Sequence, residues 1–389
     1  MFNIREEAEK ALFLLSNNGY EAYLVGGCVR DSILGRSFTD YDITTNALPF
    51  EIKTVFKNFK TIDTGIKHGT VTVVIGNLPI EITTYRIDGE YSDNRHPDKV
   101  IFSRNIRDDL SRRDFTMNAV CYNGEYIDLF CGIEDINNRL IRCVGDPTKR
   151  FVEDALRILR ALRFSSCLGF EIEEKTSDAI ISCSHLLENI SFERISAELK
   201  KLLCGDNASE IISKYSKVFE YILEDNCYSE RALHIKKCPL DFDIRLACIL
   251  LNNSRYNEVL SKLKLDNKTL KRVALAVSNY SSDLANDSVY IKKYINKYGI
   301  QNLQDILTLK KADGADISCF ETLLNNVIKN NECYTVKMLD INGDDLIHLG
   351  ITGKDIGITL ELILENVIDG KIENSAEKIL DFIKERINR

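Results

Sequence analysis

Apolar and polar positions change rhythm near residue 150. Before that point short extended runs alternate with helical spacing. After it a period near 3.6 dominates to the C-terminus. The opening MFNIREEAEKALFLL predicts an amphipathic helix. Tyr23-Leu24-Val25 reads as a strand, Gly26-Gly27 as a turn, and Cys28 to Leu34 as a helix stopped by Gly35. A second extended run carries Asp40-Tyr41-Asp42, and PFEIKTVFKNF is again helical. Gly69 to Ile75 and Leu78 to Arg86 predict a hairpin turned at Gly76-Asn77. Arg86 to Val100 is polar, holds Gly and Pro and shows no period, so it reads as a loop long enough to be mobile and functional. Beyond 150, stretches such as ERISAELKKLL, EIISKYSKVFEYIL and ETLLNNVIKN predict helices, and with five prolines in the whole chain little interrupts them. The pattern is an α/β head followed by an all-helical portion.

Composition narrows this. With 389 residues, 44% hydrophobic and 28% charged, the chain is expected to be a soluble globular protein of two to four domains. No apolar run reaches the length of a membrane span, and the acidic, amphipathic start does not read as a signal peptide. The 12 cysteines are scattered singly with no C-x-x-C pair, the pattern of buried thiols in a reducing cytosol. The five histidines form no metal-ligand spacing. A net charge of −8 excludes a protein that coats nucleic acid everywhere. Yet Arg139 to Ser165 carries seven basic residues (Arg139, Arg142, Lys149, Arg150, Arg157, Arg160, Arg163) against three acids, which points to one defined polyanion site.

The candidate chemistry begins at Tyr23 to Thr45. Side chains i and i+2 of a strand share a face, so Asp40 and Asp42 can reach the same divalent ions, and hard carboxylate oxygens suit Mg²⁺. Such ions would activate an attacking hydroxyl and neutralise a leaving pyrophosphate. Gly26 and Gly27 let backbone N–H groups approach a triphosphate, and Arg30 adds positive charge one turn on. Glu81 sits in an apolar, β-branched strand; if buried it needs a partner, either an arginine such as Arg86 or the metal pair, as a third carboxylate. Arg113-Asp114 in DLSRRDFTMNA could bind phosphate and sugar hydroxyls, or form a surface ion-pair cluster. In FVEDALRILRALRF, Asp154, Arg157, Arg160 and Arg163 recur every third residue, while Ala155, Leu156, Ile158, Leu159 and Leu162 fall on the opposite side. Cytosine and adenine both present an amino donor beside an unprotonated ring nitrogen. An Asp–Arg pair would match that polarity and reject uracil and guanine at about 1–3 kcal/mol per mismatch.

Taken as a set, GGCVRD with TDYD, YSDNRHP, DLSRRDFTMNA, EDALRILRALRF, ERISAEL and LGITGKDIGITLELILENVIDGKIEN resemble the class II tRNA nucleotidyltransferases, the CCA-adding enzymes of the DNA polymerase beta superfamily. The resemblance implies an α+β fold: a nucleotidyltransferase head with a mixed β-sheet over 1–140, a helical neck over 141–205, a helical body over 206–315 and a tRNA-binding helical tail over 316–389. It implies Mg²⁺ as cofactor, tRNA, CTP and ATP as partners, no membrane, and a cytoplasmic enzyme. Asp40 and Asp42 would hold the metals, with Glu81 beside them. Gly26, Gly27 and Arg30 would meet the triphosphate, and Arg113 and Asp114 the sugar. Glu153, Asp154, Arg157, Arg160 and Arg163 would line the nucleotide pocket, while Glu193 and Arg194 would brace the neck. Addition of A alone, poly(A) synthesis, and an inactive RNA-binding relative stay open as alternatives.

Overall fold

The computed structural model describes residues 4–89, 100–224, 228–282 and 284–387. The chain divides into two compact units. One comprises Met1–Ser229 with Ser261–Lys264, the other Glu230–Leu260 with Leu265–Arg389.

In the first unit α1 (Glu6–Asn17) leads into β1 (Ala22–Val25), α2 (Gly27–Ile33) and β2 (Tyr41–Thr45). Then come α3 (Pro49–Val55), β3 (Lys60–Ile62), β4 (Thr70–Ile75), β5 (Leu78–Thr84), β6 (Arg86–Asp88) and β7 (Val100–Phe102). After α4 (Ile106–Ser111), β8 (Val120–Asn123) and β9 (Glu125–Asp128) complete a seven-stranded sheet of order β3-β4-β5-β2-β1-β8-β9. It is mixed: β2 and β5 run parallel, and the other neighbours run antiparallel. The expected hairpin is present, with Ile75 opposite Leu78. Its strands alternate as β-branched residues on a half-buried sheet should: Val71, Val73, Ile80 and Ile82 are fully buried, while Glu81 points out. Glu81 is therefore not the buried carboxylate its apolar neighbours suggested; on strand period its side chain falls on the polar face. Arg86 to Val100 is also not wholly loop. β6 and β7 pair antiparallel, since Ile87 and Val100-Ile101-Phe102 favour extended backbone. The YSDNRHP stretch between them lies outside the described residues.

Helices follow: α5 (Gly132–Asn137), α6 (Pro147–Glu153), α7 (Leu156–Leu168), α8 (Glu174–Cys183), α9 (Phe192–Leu203), α10 (Ala208–Lys214) and α11 (Ser216–Leu223), with β10 (Leu140–Ile141) pairing β11 (Glu171–Ile172). Two sequence expectations need correction. EIISKYSKVFEYIL is two helices, parted at Tyr215, whose backbone leaves the helical region (φ −111°, ψ 35°). FVEDALRILRALRF is also two, because Asp154 is extended (φ −145°, ψ 102°) and its Oδ1 accepts from the Leu156 N–H at 3.1 Å. A short acidic side chain that bonds the backbone ahead of it starts a new helix rather than continuing the old one. The apolar stripe of α7 packs as expected, with Ile158, Leu159 and Leu162 fully buried.

From residue 228 on, the chain is helical: α12 (Tyr228–Ile235), α13 (Phe242–Leu250), α14 (Tyr256–Lys262), α15 (Asn267–Asn279) and α16 (Ser288–Tyr298). These precede α17 (Ile300–Ala312), α18 (Ser318–Lys329), α19 (Gly343–His348), α20 (Lys354–Ile368) and α21 (Ala376–Ile387). Capping by Asp241, Asp266, Asp287 and Asn342 sets where α13, α15, α16 and α19 begin, each cap contributing about 1 kcal/mol. One apolar cluster gathers Ile291, Leu303, Ile306 and Val327. A second gathers Leu346, Ile363, Leu364 and Ile379. Each fully buried Ile or Leu stabilises by about 1.5–3 kcal/mol. Gly350 and Gly353 take positive φ (84° and 64°) in the turn between α19 and α20. Among the described residues no helix is long and apolar enough to cross a membrane.

Candidate active site

Tyr41 faces inward at 3% exposure, which turns Asp42 to the other side of β2, while Asp40 stands exposed one residue before the strand. Parallel pairing with β5 sets Asp42 directly beside Glu81. Gly26 ends β1 with φ +80°, a conformation that excludes most side chains, and a Cβ there would lie 3.6 Å from Asp42 Oδ2 and 3.7 Å from Arg113 Nη1. The turn, the carboxylate and the guanidinium thus meet at one point. Burial first, then the neighbouring charges of Glu81 and Asp40, push the Asp42 carboxyl up to about 6 against the pull of Arg113. Crowded carboxylates of this kind are what a divalent cation relieves, and the donors are all hard oxygen, so the residues present fit Mg²⁺. Among the described residues no three His, Cys, Asp or Glu side chains converge tightly enough to enclose an ion. A pair of carboxylates leaves the remaining positions to phosphate and water, as Mg²⁺ prefers.

Arg113 is held by Asp109, a fully buried carboxylate that also takes Arg112 and the Thr44 hydroxyl. Burial opposes the charge on Asp109, but Arg113 and Arg112 outweigh it and hold the carboxyl below its ordinary range. Asp114 is equally engaged. Its Oδ1 accepts from the Phe115 N–H (2.8 Å) and Asn118 Nδ2 (3.1 Å), and its Oδ2 takes the Arg160 fork, Nε at 2.9 Å and Nη2 at 2.8 Å. Burial again opposes ionisation, yet Arg160, the Asn118 amide and Arg157 draw Asp114 down to about 2.

Arg30 spans to the same network: Nε and Nη2 bond Asp31, Nη1 donates to Asn118 Oδ1 at 2.8 Å, and Nη2 stands 3.7 Å from where a Gly27 Cβ would be. Glu198 ties Arg163 (2.7 Å) to Arg160 (3.6 Å). Phe164 is the floor beneath three guanidinium groups, Arg163, Arg30 and Arg160, at 3.9, 4.9 and 5.4 Å from its ring centre. Asp154 pairs with Arg194 at 2.8 Å, so Arg194 does brace this region. Arg157 is 8% exposed and donates to Glu153 (2.8 Å), the Arg112 carbonyl (2.8 Å) and the Arg150 carbonyl (3.2 Å).

The structure therefore gathers Gly26, Gly27, Arg30, Asp42, Glu81, Arg113, Asp114 and Arg160 into one linked set, with Asp40 at its edge and Arg163 joined through Glu198. Asp154, Arg157 and Glu153 form a neighbouring set joined to it through the Arg112 carbonyl. Beside them opens a cleft of about 940 Å³ lined by Ser111, Arg112, Lys149, Arg150 and Glu153. Sequence reasoning did not single out Asp109, Asn118, Phe164 or Glu198. A signal existed for two of them: Asp109 and Asn118 each lie four residues from the group they hold, Arg113 and Asp114.

Known proteins place this arrangement. A family described as the poly A polymerase head domain matches residues 22–142. One described as a probable RNA-binding site of polymerase A matches 169–224, and a tRNA nucleotidyltransferase domain 2 matches 244–383. A CCA-adding enzyme from Staphylococcus epidermidis is 37% identical, covering 98% of both chains. One from Enterococcus faecalis is 35% identical over 98% of this chain and 96% of its own. The crystal structure of the Bacillus stearothermophilus CCA-adding enzyme in complex with CTP superposes with a TM-score of 0.84 at 32% identity, covering 98% of this chain and 97% of that one. With head, central segment and C-terminal domain all matched in order, the chain belongs to the CCA-adding tRNA nucleotidyltransferases.

Proposed function

We propose that the protein adds C, C and A to the 3′ end of tRNA from CTP and ATP, without a nucleic-acid template, releasing pyrophosphate. Full-length likeness to CCA-adding enzymes supports the reaction. The observation that carries the chemistry is the Asp42 carboxylate set against the Gly26 turn beside Arg113.

Asp40 and Asp42 would hold Mg²⁺, which when bound neutralises charge on the α-phosphate and the departing pyrophosphate. The RNA 3′-oxygen forms a bond to the α-phosphorus as the bond to the bridging oxygen breaks. Glu81, next to Asp42 across the strand pair, would receive the hydroxyl proton. Arg30 has used three of its five N–H donors, so one on each terminal nitrogen is left for the triphosphate over Gly27. Arg113 faces the sugar and phosphate. At Asp114 the occupied Oδ1 leaves Oδ2, shared with Arg160, as the oxygen a ribose hydroxyl meets. Asp154 has filled two of about four acceptor positions and Arg157 three of five donors, so both retain capacity for a base edge. Arg160 and Arg163, on the Phe164 floor, supply positive charge along the pocket. The described buried cysteines and the tRNA substrate suit a cytoplasmic enzyme.

Incubation with tRNA lacking its terminus, supplying CTP and ATP singly and together and sequencing the ends, tests the reading. CC from CTP alone and CCA from both are expected. Addition of A only to ends already carrying CC would replace it with the A-adding reaction.

A further inference from the structure

Asn118 lies in a 3₁₀ turn, Thr116–Asn118, 6% exposed, with its amide engaged at both ends. Oδ1 accepts from Arg30 Nη1 at 2.8 Å, while Nδ2 donates to Asp114 Oδ1 at 3.1 Å. The two partners come from distant stretches, α2 and the segment after α4. A guanidinium can only donate and an ionised carboxyl can only accept. A primary amide offers an acceptor at one end and a donor at the other, so it joins them without adding charge.

Direct pairing of Arg30 with Asp114 would serve worse. It would draw Arg30 away from Gly27, where Nη2 now stands 3.7 Å from the Cβ position. It would also compete with the Arg160 fork on the same carboxylate. With the amide between them each keeps its outward donors or acceptor. Asn118 and the Phe115 N–H occupy Oδ1, so Oδ2 is the oxygen presented alongside Arg160.

We propose that Asn118 is a positioning residue that registers the arginine of the triphosphate end against the carboxylate of the ribose end, independently of which base is bound. This rests on the roles given above to Arg30 and Asp114. It places in Asn118 a determinant of nucleotide affinity and of ribose preference that leaves base choice untouched.

Asn118→Leu removes both hydrogen bonds at nearly constant volume. KM for CTP and for ATP is expected to rise together, about tenfold, the scale of one lost bond to a charged group, with kcat less affected. The preference for CTP over dCTP should narrow while that for CTP over UTP stays. Asn118→Asp, which can still accept from Arg30 but repels Asp114, separates the two ends: KM stays nearer the wild-type value and ribose preference falls. This variant also serves where the leucine protein folds poorly. A lower Tm in both variants with unchanged KM and unchanged CTP/dCTP ratio would overturn the proposal by making Asn118 merely structural. Arg30→Ala and Asp114→Asn are run alongside. If these raise KM and narrow ribose preference while the Asn118 variants do neither, the positioning role alone falls. If the two controls themselves change neither quantity, the assignment of Arg30 and Asp114 falls with it.

Discussion

Each unit holds an ionic hub, and the two hubs are built with opposite sign. In the first unit the centre is a carboxylate: Asp114 takes Arg160, the Asn118 amide and a backbone N–H, and Arg30 and Arg163 stand close by over Phe164. In the second the centre is a cation: Arg272 of α15 meets Asp241 (2.9 Å) and Asp243 (3.2 Å) at the start of α13 and Asp305 (2.8 Å) of α17. A carboxylate surrounded by arginines leaves donors over for an anionic ligand. A guanidinium surrounded by three carboxylates has spent four of its five donors, and the acids around it repel phosphate. Ion pairing of similar density thus makes the proposed substrate site in one unit and a clamp between helices in the other.

The sharpest way to break the contrast is at the first hub's neighbour. Asp42→Ala should lower nucleotide incorporation by at least about 10³-fold, with tRNA affinity within about twofold in a binding assay; retained turnover would remove Asp42 from the metal role. Next, Arg272→Ala takes the cation from Asp305, which is 2% exposed and keeps the Gln301 amide. Chemical denaturation should then show a loss of about 2–4 kcal/mol, while KM for CTP stays at the wild-type value. A change in KM would show that the clamp acts on the site.

Arg157→Ala comes third: misincorporation of U and G should rise about 10- to 100-fold, measured by sequencing extended ends. Unchanged selectivity would mean that Arg157 only bolts the Arg112 and Arg150 carbonyls together.

A smaller effect concerns acid. Asp114 falls from an ordinary 3.8 to about 2 in the folded protein, so the unfolded chain takes up its proton first as pH drops. Its contribution is complete above about pH 4 and disappears as pH falls through about 2. In a series of denaturation curves from pH 5 to pH 2, Asp114→Asn should flatten the acid limb, and an unaltered slope would refute this. Smallest of all, alkylation followed by mass spectrometry should find Cys131 and Cys319 modified first among the described cysteines. Burial pushes Cys28 up to about 11 and Cys121 and Cys143 up to about 12, where the thiolate is scarce at neutral pH.

Much of the head was legible because its patterns are local. The Tyr23-Leu24-Val25 run, the Gly26-Gly27 turn and the hairpin at Gly76-Asn77 each follow from a few neighbouring residues. Two features hid. Glu81 sits in apolar company, and only the alternation along β5 shows that its side chain leaves the core. The helix break at Asp154 depends on one side-chain oxygen finding the Leu156 N–H and on Arg194, forty residues on, holding the other oxygen. Composition carries neither fact, and periodicity carries only the first. The apolar spacing on both sides of the break is helical, so period alone reads straight through it. Asn118 was half visible: its spacing of four from Asp114 is local, while its other partner, Arg30, lies 88 residues away.

That break bears on how one protein surface handles two nucleotides of unequal size. A purine holds its amino edge farther from the sugar than a pyrimidine does. Fixed within an unbroken rod, the Asp154 carboxyl would be set to a single reach. At an elbow between α6 and α7 a new reach costs only the end rungs that Asp154 itself makes, its N–H to the Arg150 carbonyl (3.3 Å) and the Arg157 N–H to its carbonyl (3.0 Å).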